Sequence, residues 1–325
     1  MTDHWKAIVL QQTKARDAIR IESIQPLWSG YGEIFRVQLI PETLGTIVVK
    51  QVLPPATNQH PRGWNTDNSA IRKLRSYQIE THWYTQWSAR CTDACRVPRC
   101  IGIEQLNNQT WILLEDLDAS GFAYRHTHLN PSQASVCLRW LAHFHAQFIN
   151  AAPEGLWPVG TYWHLDTRSD EFDAMKQSSI KANAHKLDGL LNACHYKTIV
   201  HGDAKVANFC FSKSDQSVAA VDFQYVGGGC GMKDVAYFLG SCFDENECER
   251  WIPDLLDTYF DTLRSAVKGT TIDAIDLERE WRQLFAPAWT DFHRFLLGWM
   301  PEHNKIHAYT EKLSAETLAG SHFTI

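Results

Sequence analysis

The spacing of apolar and polar positions separates a strand-rich first part of the chain from a helix-rich remainder. Residues 1 to about 20 carry a weak apolar face at Ile8, Val9 and Ala15, which predicts a helix. From Ile21 the period shortens. Ile21–Leu27, Glu33–Ile40 and Thr46–Leu53 read as three strands joined through Trp28–Gly32 and Pro41–Gly45, a β-meander. A polar, proline-bearing loop over 54–68 leads to a helix expected over Ala70–Trp87, with Ser69 as its N-cap. Lys73, Tyr77, Glu80, Tyr84 and Trp87 recur on one of its faces. Val97–Ile103 and Gln109–Leu114 are further strands, after which WILLEDLDASGF turns abruptly from apolar to acidic.

Beyond Pro131 the period is helical. Val136, Trp140, Leu141, Phe144, His145 and Phe148 share a face of Ser132–Asn150, where His143 and His145 read as packed or surface histidines. A loop over 151–170 and a mostly polar helical stretch over 171–195 follow. Ile199 and Val200 form a short strand, and Phe209–Phe211 and Val218–Val221 form a hairpin around a polar turn. The glycine run within 225–232 reads as a mobile loop. Helices are expected from Lys233 onward and over Glu245–Ala266, Asp276–Met300 and Asn304–Ala319.

Chemistry collects around that hairpin. In HGDAKVANF, Asp203 stands five residues before Asn208, and Asp222 lies fourteen beyond Asn208. Antiparallel pairing puts the start of one strand and the end of the other at one edge, so Asn208 and Asp222 should meet. Hard oxygen donors of this kind suit Mg²⁺. Asp203 is then placed to orient or deprotonate a hydroxyl. Upstream, Lys50 interrupts an apolar strand, and Glu80 lies in an aromatic helical stripe. A carboxylate there needs a partner, and Lys50 is the natural one. Gly30 and Gly32 would let backbone N–H groups approach a phosphate.

HGDAKVANF followed by VDFQ resembles the catalytic loop and metal-binding motif of the aminoglycoside phosphotransferase and choline kinase family. HPRGWN…RKLRSYQIE and AWTDFHRFLLGWM are more similar to its ecdysteroid-kinase-like and choline-kinase-like relatives than to its classical antibiotic kinases. Gly202 and Gln224 stand where protein kinases carry Arg and Gly, which points to small-molecule substrates. The resemblance implies an α+β, protein-kinase-like fold of two lobes. Residues 1–117 would form a nucleotide-binding antiparallel sheet with one helix, and 118–325 a mainly helical lobe with the catalytic loop and acceptor pocket. ATP would lie between them, with Gly30 and Gly32 over its phosphates. Lys50, held by Glu80, would grip the α- and β-phosphates, and backbone groups near Glu115 to Leu117 would meet the adenine edge. Asn208 and Asp222 would bind Mg²⁺. Asp203 would receive the hydroxyl proton, Lys205 would touch the γ-phosphate, and His201 would brace the loop. Asp234 would support the catalytic loop, although by sequence alone it is a helix-start acid. The implied acceptor is an amino alcohol, an aminoglycoside or a related alcohol. The alternative is a catalytically silent nucleotide-binding protein, against which stands the intact set Lys50, Glu80, Asp203, Asn208 and Asp222.

Composition narrows the partners. The 325 residues are 44% hydrophobic and 21% charged, as in ordinary globular proteins. A net charge of -6 argues against nucleic acid. No apolar run approaches the ~18 residues of a membrane span, and the N-terminus lacks the pattern of a signal peptide. Nine scattered cysteines point to reduced thiols in a cytoplasm, and the spacing of Cys91, Cys95 and Cys100 does not suit zinc; monomer and homodimer both stay open. The thirteen tryptophans are expected mainly in cores. Trp289, Asp291, Phe292 and Trp299 read either as core or as an aromatic and acidic cage for a substrate cation. Arg62, Arg72, Lys73 and Arg75 read as a solvated face, with phosphate contact as the alternative.

Overall fold

The computed structural model describes residues 4–54 and 67–320, so the expectations for Arg62, Trp64 and most of the 54–68 loop fall outside it. Helix α1 spans His4–Gln12 and strand β1 spans Asp17–Pro26. The first helix is therefore shorter than its weak apolar face suggested, because from Asp17 the backbone pairs with Ile40. Strands β2 (Gly32–Ile40) and β3 (Thr46–Val52) complete the meander. Helix α2 runs over Asp67–His82 and widens into a π-turn over Trp83–Trp87. It starts ahead of Ser69, which lies inside the helix and is not its cap. Strands β4 (Cys100–Leu106) and β5 (Gln109–Glu115) close an antiparallel sheet of order β1-β2-β3-β5-β4. Lys50 thus sits on the central strand, between Ile34 and Ile112.

The rest is chiefly helical. It comprises α3 (Pro131–Gln147), the short helices α4 (Ser169–Ala174), α5 (Ser179–Ala182) and α6 (Ala184–Asn192), then α7 (Met232–Cys242), α8 (Glu245–Ala266), α9 (Ala274–Trp299) and α10 (Ala308–Ala319). Strand β6 (Thr198–Val200) precedes the hairpin β7 (Phe209–Phe211) and β8 (Val218–Ala220). The α+β, two-lobed, kinase-like arrangement expected from the sequence is what the chain adopts. Trp83, Trp111, Trp163 and Trp281 are fully buried, which accounts for much of the tryptophan content.

The glycine run departs from expectation. Gly227–Gly229 is a buried strand, β9, paired antiparallel with β6. A Cβ on Gly227 would lie 2.3 Å from the carbonyl oxygen of Trp157, so glycine here permits close backbone packing and the segment is not a mobile loop. All nine cysteines are free thiols. Among the described residues, no helix is long and apolar enough to cross a membrane.

Candidate active site

The catalytic-loop candidate leaves β6 and is anchored from beneath by α7. Asp234, fully buried at the start of α7, accepts from the backbone N–H of His201 at 2.6 Å and of Gly202 at 2.9 Å. Its Oδ2 also meets His145 Nε2 at 3.1 Å, and His145 Nδ1 meets the Tyr259 hydroxyl at 2.7 Å. His145 is therefore a packed histidine within a polar network. His201 Nδ1 accepts from the Asp203 N–H at 3.3 Å, which leaves Nε2 to donate to the Val221 carbonyl at 3.1 Å. That ties the loop to the far strand of the hairpin.

Asp203 faces the cleft from this support. Its Oδ2 receives Lys205 Nζ at 2.8 Å and Asn208 Nδ2 at 3.2 Å, and its Oδ1 receives the Tyr237 hydroxyl at 3.2 Å. Burial alone would lower the Lys205 pKa, but Asp203 outweighs it and holds the ammonium well above the ordinary lysine range.

The hairpin register brings Asn208 and Asp222 to one end, because Val221 N–H donates to the Asn208 carbonyl at 3.0 Å. Asn208 turns its amide nitrogen to Asp203, an acceptor-only group. Its Oδ1 takes no hydrogen bond among the described residues. Asp222 adopts φ +70, a left-handed backbone that Asp tolerates better than most residues. Its Oδ1 receives Gln224 Nε2 at 2.6 Å and Lys50 Nζ at 3.4 Å, while Oδ2 accepts nothing among the described residues. Burial would raise the Asp222 pKa, yet Lys50, Lys205 and Lys73 hold it at about 2. One amide oxygen and one oxygen of an ionised carboxylate are thus left uncommitted at the cleft among the described residues, a donor set that fits Mg²⁺.

On the sheet side, Lys50 Nζ lies 2.8 Å from Glu80 Oε1 and 2.6 Å from Oε2, and both side chains are buried. Burial pushes the Lys50 pKa down, but Glu80 and Asp222 more than offset it, so the ammonium stays charged. Helix α2 is joined to the hairpin twice more. Gln224 Oε1 accepts from Lys73 Nζ at 3.0 Å and from Ser76 Oγ at 3.2 Å. Trp83, in the π-turn, stacks on Phe223 with centroids 4.4 Å apart and planes 12° from parallel. The position that departs from the protein-kinase motif is therefore a bridge between α2 and the edge that carries Asn208 and Asp222.

The two glycines differ. Gly32 has φ +120, and a Cβ there would lie 2.0 Å from the Gln51 carbonyl oxygen, so strand packing requires it. Gly30 has φ +73 and open space around its Cβ direction. At the crossing between lobes, the Glu115 carboxylate is taken by Arg96 at 2.5 Å and Ser120 at 2.7 Å, and its N–H donates to the Arg99 carbonyl at 2.9 Å. Leu117 N–H has no backbone partner among the described residues. Asp116 and Asp118 hold Arg36 at 2.7 Å and 2.5 Å.

Lys50, Glu80, Leu117, Asp203, Asn208 and Asp222 line one cleft of about 710 Å³, whereas Gly30, Gly32, His201 and Asp234 are not part of its lining. Its far wall differs from a cation cage. Trp289 is core, its indole N–H donating to Thr310 Oγ1 at 3.0 Å. Asp291 is spent on Arg294 at 2.9 Å and on the Trp163 indole at 3.1 Å. Phe292 and Trp299 do line the cleft. However, Lys305 Nζ already sits 5.0 Å from the Tyr237 ring centroid and 5.5 Å from that of Phe292. Nor are Arg72 and Lys73 a solvated face. Both line the cleft, and of the described members of that cluster only Arg75 is exposed. Sequence reasoning missed Tyr237 and Lys305. Tyr237 had a signal, since it lies one turn after Asp234 on α7.

No curated protein matches the sequence significantly. The sequence model of the phosphotransferase enzyme family matches residues 23–269. Among solved structures, an amicoumacin kinase in complex with AMP-PNP and Ca²⁺ is 11% identical, covering 98% of this chain and 94% of that one, with a TM-score of 0.48. A microcompartment-associated aminopropanol kinase is 14% identical over 96% of this chain and 97% of its own, with a TM-score of 0.49. A putative fructosamine-3-kinase from Haemophilus somnus is 12% identical over 97% and 96%, with a TM-score of 0.47.

Proposed function

The chain belongs to the phosphotransferase enzyme family, and from that premise we propose that it transfers the γ-phosphoryl group of ATP to a hydroxyl of a small molecule. The observation that carries this reading is the convergence on one cleft of the buried Lys50–Glu80 pair, the uncommitted oxygens of Asn208 and Asp222, and Asp203. We place the lobe boundary at Leu117, just after the last strand of the sheet, and the protein in the cytoplasm, a reducing compartment that suits nine free thiols.

Each residue then has a role in an in-line transfer. Lys50, aligned by Glu80, grips the α- and β-phosphates, and Leu117 N–H meets the adenine edge. Gly30 allows its turn to approach the phosphates, while Gly32 keeps that turn packed on β3. Lys205 steadies the γ-phosphate, and Tyr237 and Asn208 fix the Asp203 carboxylate. As the acceptor oxygen bonds to the γ-phosphorus, the bond to the β–γ bridging oxygen breaks and ADP departs. The hydroxyl proton passes to Asp203. Mg²⁺, held by Asn208 and Asp222, would neutralise charge developing on the bridging oxygen. His201 and Asp234 act at one remove, by holding the loop.

The test is nucleotide binding and ADP release across a Mg²⁺ titration. The wild type should gain thermal stability from ATP only when Mg²⁺ is present. Asp222→Ala should weaken Mg²⁺-dependent ATP binding by at least about tenfold, roughly 1.4 kcal/mol. An ATP affinity unchanged by Asp222→Ala at every Mg²⁺ concentration would remove its metal role.

A further inference from the structure

Building on the kinase reading, we propose that the acceptor alcohol carries an anionic group, a carboxylate or a phosphate, received by Lys305 beside Asp203. The placement of Lys305 is the first argument. The loop after α9 brings its ammonium over the Tyr237 and Phe292 rings, 5.0 Å and 5.5 Å from their centroids. Those are the aromatic faces a cationic substrate would use, and they already hold a cation. Among the described residues Lys305 Nζ makes no hydrogen bond or ion pair. Tyr237 in turn donates to Asp203 at 3.2 Å, so this ammonium lies one aromatic ring from the reacting hydroxyl.

The surrounding charge is the second argument. Arg72, Lys73, Arg168 and Lys205 line the same cleft, and the buried Glu171 behind them is shared between Arg168 at 2.8 Å and Arg72 at 3.8 Å, one carboxylate for two guanidinium groups. Lys73 makes no ion pair with a carboxylate among the described residues; its contacts are Gln224 Oε1 at 3.0 Å and the Tyr77 ring at 4.8 Å. The cleft's other lining carboxylates are engaged elsewhere. Glu80 holds Lys50, Glu115 holds Arg96, and Glu22, Asp116 and Asp118 surround Arg36. That leaves Asp203, paired with Lys205, and Asp222 at the metal edge. A chain of net charge -6 thus presents a basic wall at the position where the acceptor arrives. An aminoglycoside or amino alcohol would be repelled there, and an anion would supply the missing counter-charge. Burial pushes the Lys305 ammonium down to about 8, against the pull of Cys242 and Asp203.

The experiment compares alcohols matched in shape and different in charge. One series is D-glycerate, glycerol 3-phosphate, glycerol and 3-amino-1,2-propanediol. The second is gluconate, sorbitol and glucamine. With Mg·ATP and the full chain, an anionic member should exceed its neutral counterpart at least about tenfold in kcat/KM, and the cationic member should be poorest. The glycerate and glycerol 3-phosphate arms separate carboxylate from phosphate. Lys305→Met should raise KM for the anion about tenfold or more, leave KM for ATP within about threefold, and change kcat/KM for the neutral alcohol by less than for the anion. Lys305→Arg should retain most of the preference. Preference for neutral or cationic alcohols would overturn the proposal. So would failure of every anionic alcohol in a protein that binds Mg·ATP, or a Lys305→Met effect confined to KM for ATP. Failure of the kinase reading is separately visible, as absence of Mg·ATP binding and of ADP release with alcohols of any charge.

Discussion

Asp203→Asn is expected to lower turnover by about 10²–10⁴-fold while leaving Mg·ATP affinity within about threefold. The substitution keeps the shape of a side chain held on three sides, by Lys205 at 2.8 Å, Asn208 at 3.2 Å and Tyr237 at 3.2 Å. What it removes is the negative charge. An amide cannot take up the proton released by the attacking hydroxyl, and it offers Lys205 a weaker partner. In the proposed mechanism nucleotide binding would depend instead on Lys50, Glu80 and the oxygens at the hairpin edge, and Asn208 keeps its orientation through the Asp203 backbone carbonyl at 2.8 Å, which the substitution leaves in place. Turnover and affinity should therefore separate. The check is steady-state ADP release beside a binding titration, on protein whose melting temperature matches the wild type. Near-normal turnover would remove Asp203 from the chemistry.

The residues of this site that were legible in the sequence are those whose position follows from local periodicity. Lys50 interrupts an apolar strand and Glu80 falls in a helical stripe, so each announced an unusual burial that the other relieves. Asn208 and Asp222 end up together because a short hairpin has one geometry. Lys73 occupied the same stripe as Glu80, seven residues earlier, and that spacing outweighs its membership in a basic cluster. Elsewhere the deciding fact was a neighbour distant in sequence. The glycines at 227–229 read as mobility until the Trp157 backbone is seen against them. Lys305 lies in an irregular segment, and only the packing of α9 on α7 sets it over Tyr237. Gln224 was visible as a departure from the kinase motif, but its meaning required α2 at hydrogen-bonding distance.

Asp234→Ala should damage both stability and turnover, by a route different from that of Asp203. The carboxylate is fully buried and satisfies two backbone N–H groups of the catalytic loop together with His145. Charge-assisted bonds of this kind contribute about 1.5–3 kcal/mol each, and removing the acceptor leaves buried donors unpaired. A loss of about 3–5 kcal/mol is expected, which in a chain of this size lowers the melting temperature by roughly 4–7 °C. The loop that carries Asp203 also loses its floor. kcat should fall by about 10–10²-fold even where the variant is fully folded, because small misplacements of a reacting group are costly. ATP affinity should change little, since Lys50 and Glu80 sit on other elements. Asp234→Asn supplies the internal control. It keeps the volume and one acceptor oxygen but turns an amide N–H toward a backbone N–H, so its stability should fall between wild type and Ala. A variant that melts lower yet keeps full kcat at low temperature would reduce Asp234 to a folding role. A fall in kcat at unchanged KM for ATP would fix it as the residue that positions the loop.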